Sequence, residues 1–377
     1  MRIALLVPGG VDRSGTHRVI PCLLWQIERL AAAGHDVHVF AHAQEPEPAE
    51  WPLLGALVHN AGRRPRRARM LGQIAAEHRR APFDVLHAVW AAPAGTVAAL
   101  AGRVLRVPVL LHLTGGDLTD LREIGFGARS RRRGRAWVRL AVAGATHITV
   151  PSNLLVEQAR SLGIHVERLP YGVALDRWPP CPPRPRPPDR SARLLHVGSL
   201  NRVKDQTTLL RAAAAMKREG LRFRLDVVGE DTLRGAMQRL ASDLALGDVV
   251  RFLGFLTHAE LRAHVERADL LLVSSRHEAD PIVLLEAAVA GVPTVGTAVG
   301  HLVDWAPSAA VAVPIGDARG LARETIALLA DEDRRLAMAA RAQHRAIAED
   351  ADNTARRLTE IYASLARREP YRTPVIA

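Results

Sequence analysis

Short apolar runs alternate with longer stretches of helical spacing along this chain. Arg2–Val7 reads as a first strand. Thr16–Ala33 places Val19, Cys22, Leu23, Ile27 and Leu30 on one helical face, and Gly34 closes it. Val37–Ala41, Val85–Ala88, Val109–Leu113 and His147–Val150 follow as strand-like runs. Such a series predicts a parallel sheet with helices on both faces. Arg177–Arg190 holds seven prolines among four arginines and a cysteine, so neither helix nor central strand can form, and a stiff linker is expected. After it the pattern restarts, with strand-like runs at Leu194–Val197, Arg224–Val228, Val250–Leu253, Leu270–Val273 and Thr294–Val295. A last amphipathic helix, Thr354–Arg367, is expected to cross back to the first domain, and the final ten residues to fray. The expected division is 1–170, a hinge and linker at 171–192, a second α/β domain at 193–350, and a returning helix and tail at 351–377.

Composition sharpens this picture. At 377 residues the chain exceeds one ordinary core and suits two. No run of 18 uncharged apolar residues is present, so no membrane span is expected, and Met1–Pro8 is too short for a signal peptide. Cys22 and Cys181 form no disulfide framework or metal-ligand spacing, which fits a reducing cytoplasm. The formal charge is +12, carried by arginine, with lysine only at 204 and 217. Residues 1–170 hold 22 arginines against 13 acids, so the excess is one-sided, as expected for an acidic or membrane-surface partner.

The chemistry gathers in the second half. Glu278 and Glu286 flank the start of a helix that follows the strand Leu270–Val273. Glu278 is expected in the loop off the strand's carboxyl end and Glu286 in the first helical turn, where open α/β sheets bind ligands. The N–H groups of Ile282 and Val283 begin that helix and can hold an anion, while carboxylates accept from sugar hydroxyls. Upstream, a strand, a turn at Gly198 and a helix starting near Asp205 bracket Arg202 and Lys204, cations suited to phosphate. Gly229 and Gly254 each end a strand, allowing backbone to approach a flat ligand.

Taken in order, Val-Gly198-Ser-Leu-x₃-Lys204-Asp, Val-Val-Gly229-Glu, Phe-Leu-Gly254-Phe, Ala-Asp-Leu-Leu-Leu-Val-Ser-Ser275 and Glu278-x₇-Glu286-Ala with Gly291-Val-Pro-Thr-Val resemble the GT-B glycosyltransferases of family 4. More weakly, Val7-Pro-Gly-Gly10 with Ser14-Gly15, Gly34-His-Asp-Val37 and Leu169-Pro-Tyr171-Gly-Val173 resemble that family's glycine loop, second-strand entry and hinge. The resemblance implies an α/β protein of two Rossmann-like doubly wound domains facing across a cleft. It implies a retaining enzyme that moves a sugar from a nucleotide diphosphate sugar, without metal or cofactor. Lys204, helped by Arg202, would neutralise the donor diphosphate. Glu278 would bind the transferred sugar, and Glu286 the ribose. Gly254, Phe255 and Leu256 would line the base, and Gly15 would lie near the phosphates.

The chain departs from the pattern at two points. Ser199 stands where the family has arginine, and Arg202 is the expected substitute. Thr114 occupies the place of a histidine before Gly115-Gly-Asp117, while His112 is expected to be a buried structural residue. Asp331–Asp333 and Asp350–Asp352 are expected on solvated helix faces. Arginines at 63, 64, 66, 67 and 69 and at 129, 131, 132, 133 and 135 form two basic clusters; the second precedes Ala136–Val142 with its Trp137 and is a candidate for docking on an anionic membrane surface. The acceptor stays open among a lipid-linked glycan, a polysaccharide precursor and a metabolite. A non-catalytic nucleotide-sugar binder and a nucleotide-sugar epimerase are the rival readings. A nucleic-acid binder is disfavoured, since no reading helix or aromatic-basic interleaving appears.

Overall fold

Unbroken buried runs such as Ile3–Val7 and Leu270–Val273 need cover on both faces. The computed structural model, which describes residues 1–367, supplies it. The chain divides into two compact units, Met1–Tyr171 with the residues from Ala351 onward, and Gly172–Asp350.

Unit 1 contains β1 (Arg2–Val7), β2 (Asp36–Ala41), β3 (Ala49–Leu53), β4 (Ala56–Asn60), β5 (Val85–Val89), β6 (Val109–His112), β7 (His147–Val150) and β8 (Glu167–Arg168). They form one sheet in the order β3-β4-β2-β1-β5-β6-β7-β8, parallel except for the β3–β4 pair. That hairpin was not legible in the apolar pattern. Pro52 interrupts β3, tolerable only at an edge, and the turn depends on positive φ at Leu54 and Gly55. The first helix, α1 (Pro21–Ala32), is shorter than the expected Thr16–Ala33. Val19 bridges to Val11 and Ile20 N–H donates to Gly10 O, so the helix waits for Pro21 in its first turn. Then come α2 (Arg66–Arg80), α3 (Thr96–Leu105), α4 (Arg132–Ala143) and α5 (Asn153–Arg160), with α3 packed against both α2 and α4.

Unit 2 contains β9 (Ala192–Val197), β10 (Phe223–Val228), β11 (Val250–Gly254), β12 (Leu270–Val273), β13 (Thr294–Thr297) and β14 (Val311–Val313). Their order is β11-β10-β9-β12-β13-β14, all parallel, with β14 an addition to the expected set. Its helices are α6 (Gln206–Arg218), α7 (Ala236–Asp243), α8 (His258–Arg267), α9 (Ile282–Val289), α10 (His301–Trp305), α11 (Ala318–Ala330) and α12 (Glu332–Ala348). Strand order reverses at β9, which has β10 on one side and β12 on the other; a ligand crevice is expected beyond the carboxyl ends of such a pair.

The Pro-rich stretch is not a free linker but a strap fixed to unit 2. Cys181 N–H donates to Val289 O, and Gln343 Nε2 donates to Cys181 O at 2.6 Å. Arg186 N–H donates to Glu332 Oε1 at 2.7 Å, and the fully buried Arg335 donates to Arg184 O at 2.7 Å and to Glu332. Proline leaves carbonyls and few N–H groups unpaired, and the arginines of α12 and the strap turn those carbonyls into acceptors.

The helix α13 (Ala351–Ala366) packs against α1 and β5 of unit 1. Thr354 Oγ1 donates to Pro170 O, Arg29 pairs with Asp352 at 2.5 Å, and the buried Tyr362 hydroxyl lies 2.6 Å from His87 Nδ1. The fraying expected of the last ten residues concerns a segment outside the described residues.

Burial pushes His87 and His112 down to about 3, so both are neutral in the folded unit. In the unfolded chain each would protonate near 6.5. Their contribution is intact above that value and is lost as pH falls toward 3, at about 2 kcal/mol each by pH 5. Denaturant unfolding at pH 7.5 and 5.0 should show this loss, and His87→Gln should remove about half of the pair's share. An unchanged pH dependence in that variant would contradict it.

Candidate functional site

The loops leaving β9 and β12 are tied together at the reversal point. Asn201 Oδ1 accepts from Val203 N–H and Lys204 N–H, each at 3.0 Å, which curls the first loop before α6. Asp205 caps α6 and accepts from the Thr208 hydroxyl at 2.8 Å. Ser274 Oγ donates to Lys204 O at 2.8 Å and Arg276 N–H to Val203 O at 2.7 Å, joining the second loop to the first. Under them His196 is neutral, pushed down to about 4 by burial; its Nδ1–H donates to Leu272 O at 2.9 Å. Nε2 then accepts from Gln206, whose amide also holds Ser199 O.

Lys204 lies with its stem across Gly198 and its Nζ 2.5 Å from Glu278 Oε1. Ser275 Oγ donates to the same oxygen at 2.6 Å. Lys204 and Glu278, expected to serve the diphosphate and the sugar separately, are a bonded pair, because the two loops they ride on are stitched together. Arg202 is exposed in the same turn. The Glu278 loop is backed by His301 Nε2, 3.0 Å from Asp280 Oδ1, with both side chains buried. After Pro281, α9 begins with the N–H groups of Ile282 and Val283, which have no acceptor inside the helix.

Glu286 sits in the second turn of α9, not the first, and is only 2% exposed. Its Oε1 lies 2.5 Å from His258 Nε2, and Trp178 of the strap donates its indole N–H to His258 Nδ1 at 3.4 Å. Gly254 closes β11 with φ +71 and open space beyond its Cα; Phe255 is 54% exposed and Leu256 half-buried. At Gly229 the Cβ position is taken by the neighbouring loop. A Cβ there would stand 2.1 Å from Gly198 O and 2.8 Å from Ser199 N, so its missing side chain admits the neighbouring loop's backbone.

In unit 1, Gly15 has φ +66 and closes a turn onto Asp12 O, in a loop whose Gly10 and Val11 N–H groups donate to Gln44 Oε1. His112 is buried, bonded through Nδ1 to Thr149 Oγ1 at 2.8 Å and edge-on to Tyr171. Thr114 is buried, and its N–H donates to Asp117 Oδ2 at 3.1 Å. Ala91 N–H donates to the other oxygen at 3.0 Å. Burial pushes Asp117 up to about 7 against the pull of these two donors. Sequence reasoning missed His258, Trp178, Ser275, His196 and the Asp280–His301 pair; only their placement by the fold reveals them.

Among the described residues, His38, His59 and Glu77 are close enough to hold a metal ion. The rings of His38 and His59 are within 10° of coplanar with centroids 5.2 Å apart, and the facing nitrogens are 2.9 Å apart. That is near the minimum the centroid distance allows, so the nitrogens point at each other along a hydrogen bond and do not converge on a third point. Arg2 Nη2 lies 2.9 Å from both His38 Nε2 and Glu77 Oε2, supplying the cation. The aspartate pairs are also accounted for: Asp331 caps α12, and Asp352 pairs with Arg29.

Two family models match the chain. "Glycosyl transferases group 1" covers residues 182–345 and "Glycosyl transferase 4-like domain" covers residues 19–172. Among curated proteins, a D-inositol 3-phosphate glycosyltransferase of Pseudarthrobacter chlorophenolicus is 30% identical over 332 residues, 78% of this chain and 76% of that protein. Among solved structures, a sucrose-phosphate synthase from Thermosynechococcus elongatus superposes with TM-score 0.80 at 20% identity, over 97% of this chain and 98% of that one. Anabaena HepE, solved with UDP and glucose, gives 0.75 at 18% identity, over 97% and 100%.

The glycines separate two kinds of constraint. Gly254→Ala meets only an unfavourable φ and should cost about 1–2 kcal/mol. Gly229→Ala must also push Gly198 and Ser199 aside and should cost at least about 3 kcal/mol. Thermal unfolding of the two variants checks this; equal losses would refute the backbone contact.

Proposed function

Because the chain belongs to glycosyltransferase family 4, whose retaining enzymes take a sugar from a nucleotide-sugar donor, we propose that the loops beyond β9 and β12 hold that donor's diphosphate and sugar. The observation that carries this is the Lys204–Glu278 bond of 2.5 Å at the strand-order reversal. Lys204 places one ammonium where a diphosphate oxygen can share it, and Arg202 adds a second cation from the same turn. The first-turn N–H groups of Ile282 and Val283 donate to phosphate from the α9 end. Glu278 keeps Oε2 for hydroxyls of the transferred sugar. Glu286 accepts from the ribose hydroxyls, and Gly254–Leu256 face the base.

The reaction breaks the bond from the sugar's anomeric carbon to the diphosphate oxygen and forms one from the acceptor oxygen to that carbon on the same face. The acceptor's proton passes to the departing phosphate oxygen. Charge builds on the leaving group, so a fixed cation and aligned N–H donors lower the barrier most. Asp117, with two N–H groups on its carboxyl, fixes the loop that carries Thr114.

An anionic surface is the partner unit 1's basic face would take. Arg131, Arg132 and Arg133 are exposed at the start of α4. Beside them a groove of about 1470 Å³ is lined by Arg67, Arg103, Arg106, Leu100 and Leu140, the two leucines being 51% and 48% exposed. The Ala136–Val142 run is not wholly outward, however: Val138 and Ala141 are buried, and Arg67 covers the Trp137 ring at 4.5 Å.

Lys204→Ala should lower kcat/KM about 10²- to 10³-fold in transfer assays, with a smaller loss for Arg202→Ala. A panel of nucleotide diphosphate sugars should raise the thermal midpoint of the wild type only for the donor it uses. No stabilisation by any of them, or full activity in Lys204→Ala, would sink the donor site. Co-sedimentation with phosphatidylglycerol vesicles should fall when the arginines at 129–135 become glutamine; unchanged binding would remove the surface.

A further inference from the structure

Glu286 is buried, yet it is given one protein donor and keeps one oxygen open. His258 Nε2 lies 2.5 Å from Oε1, and among the described residues Oε2 has no hydrogen-bond partner. Which nitrogen of His258 carries the proton follows from Trp178. An indole N–H only donates, so at 3.4 Å it makes His258 Nδ1 an acceptor and leaves the proton on Nε2. The tilted ring contact at 5.1 Å between the same two side chains holds the imidazole plane. Three separate segments meet here: the strap through Trp178, the start of α8 through His258, and α9 through Glu286. His258 is itself held at the first position of α8 by a capping box, with Thr257 and Glu260 bonded reciprocally.

We propose that Trp178 and His258 form a positioning relay that sets the donor's nucleoside selectivity. Trp178 fixes the His258 tautomer, and His258 Nε2–H fixes Glu286 as an acceptor with Oε2 presented to the ribose diol. A carboxylate so held accepts only, so it rewards a sugar that offers two hydroxyl donors and penalises one that lacks them. The inference rests on the reading of Glu286 as the ribose acceptor, and it adds what makes that carboxylate selective. A buried carboxylate without its donor would be free to turn away or to take a proton, and the diol would lose its partner.

Calorimetric titration of the full chain with UDP, GDP and ADP identifies the tightest binder, which is then compared with its 2′,3′-dideoxy counterpart. The wild type should prefer the ribose form by about tenfold or more. His258→Ala should shrink that preference to about twofold or less while leaving the dideoxy affinity unchanged. His258→Gln, which keeps an N–H donor, should restore most of the preference, and Trp178→Phe, which keeps the ring but not the N–H, should give an intermediate ratio. A preference that survives in both His258→Ala and Trp178→Phe overturns the relay, as does equal weakening of both nucleotides in those variants. Glu286→Gln separates the two readings. If it leaves the preference intact, the ribose assignment itself fails. If it abolishes the preference while His258→Ala does not, only the relay fails. Should His258→Ala not fold, the glutamine and Trp178 variants carry the same comparison.

Discussion

One ammonium joins the two loops in which the donor site of unit 2 is proposed to lie. Lys204 Nζ reaches Glu278 only because its own loop is curled by Asn201, its stem lies on a residue without a side chain, and Ser274 and Arg276 bind its loop's backbone from the neighbouring strand. Remove the Gly198–Gly229 backbone contact and the first loop lifts. Remove the parallel pairing of Leu194 with Leu270 and Leu195 with Leu271, and the two loops no longer leave the sheet side by side. The pair thus reports on the sheet, the turn and the helix cap together.

The order of the strands is what singles out these loops, rather than others, as the proposed donor site. β9 connects onward to β10 on one side and pairs with β12 on the other, so the chain leaves β9 and β12 toward opposite sides of the sheet and a crevice is expected beyond their carboxyl ends. Buried imidazoles support that edge from below. His196 holds Gln206, and Gln206 holds Ser199 O, so a neutral ring in a strand orders the loop where the family pattern has an arginine. Ser199 therefore need not be a defect: its carbonyl is engaged, and a cation stands three residues on at Arg202.

Much of the fold was legible because unbroken apolar runs such as Leu270–Val273 and a proline or glycine at element ends leave few alternatives. The β3–β4 hairpin was not, since Pro46, Pro48 and Pro52 mask its alternation and its turn rests on Leu54 at positive φ. Lys204, Glu278 and Glu286 were singled out by their order and spacing. What spacing cannot convey is who bonds to whom. His258 and Trp178 lie 80 residues apart, and Asp280 and His301 on different elements, so only the folded backbone brings them together. Gly229 shows a further limit of spacing: its missing side chain admits a neighbouring loop, a contact that its place at a strand's end does not announce.

The strap has a bearing on how the chain survives in a cell. Composition marks 177–190 as an exposed tether rich in arginine, the sort of stretch a trypsin-like protease would open first. Arg184 and Arg186 are each followed by proline, which blocks such cleavage, and Arg184 O, Arg186 N–H and the Arg190 guanidinium are all engaged by unit 2. Two of the four arginine bonds in this stretch, those after Arg184 and Arg186, are thereby closed to such cleavage.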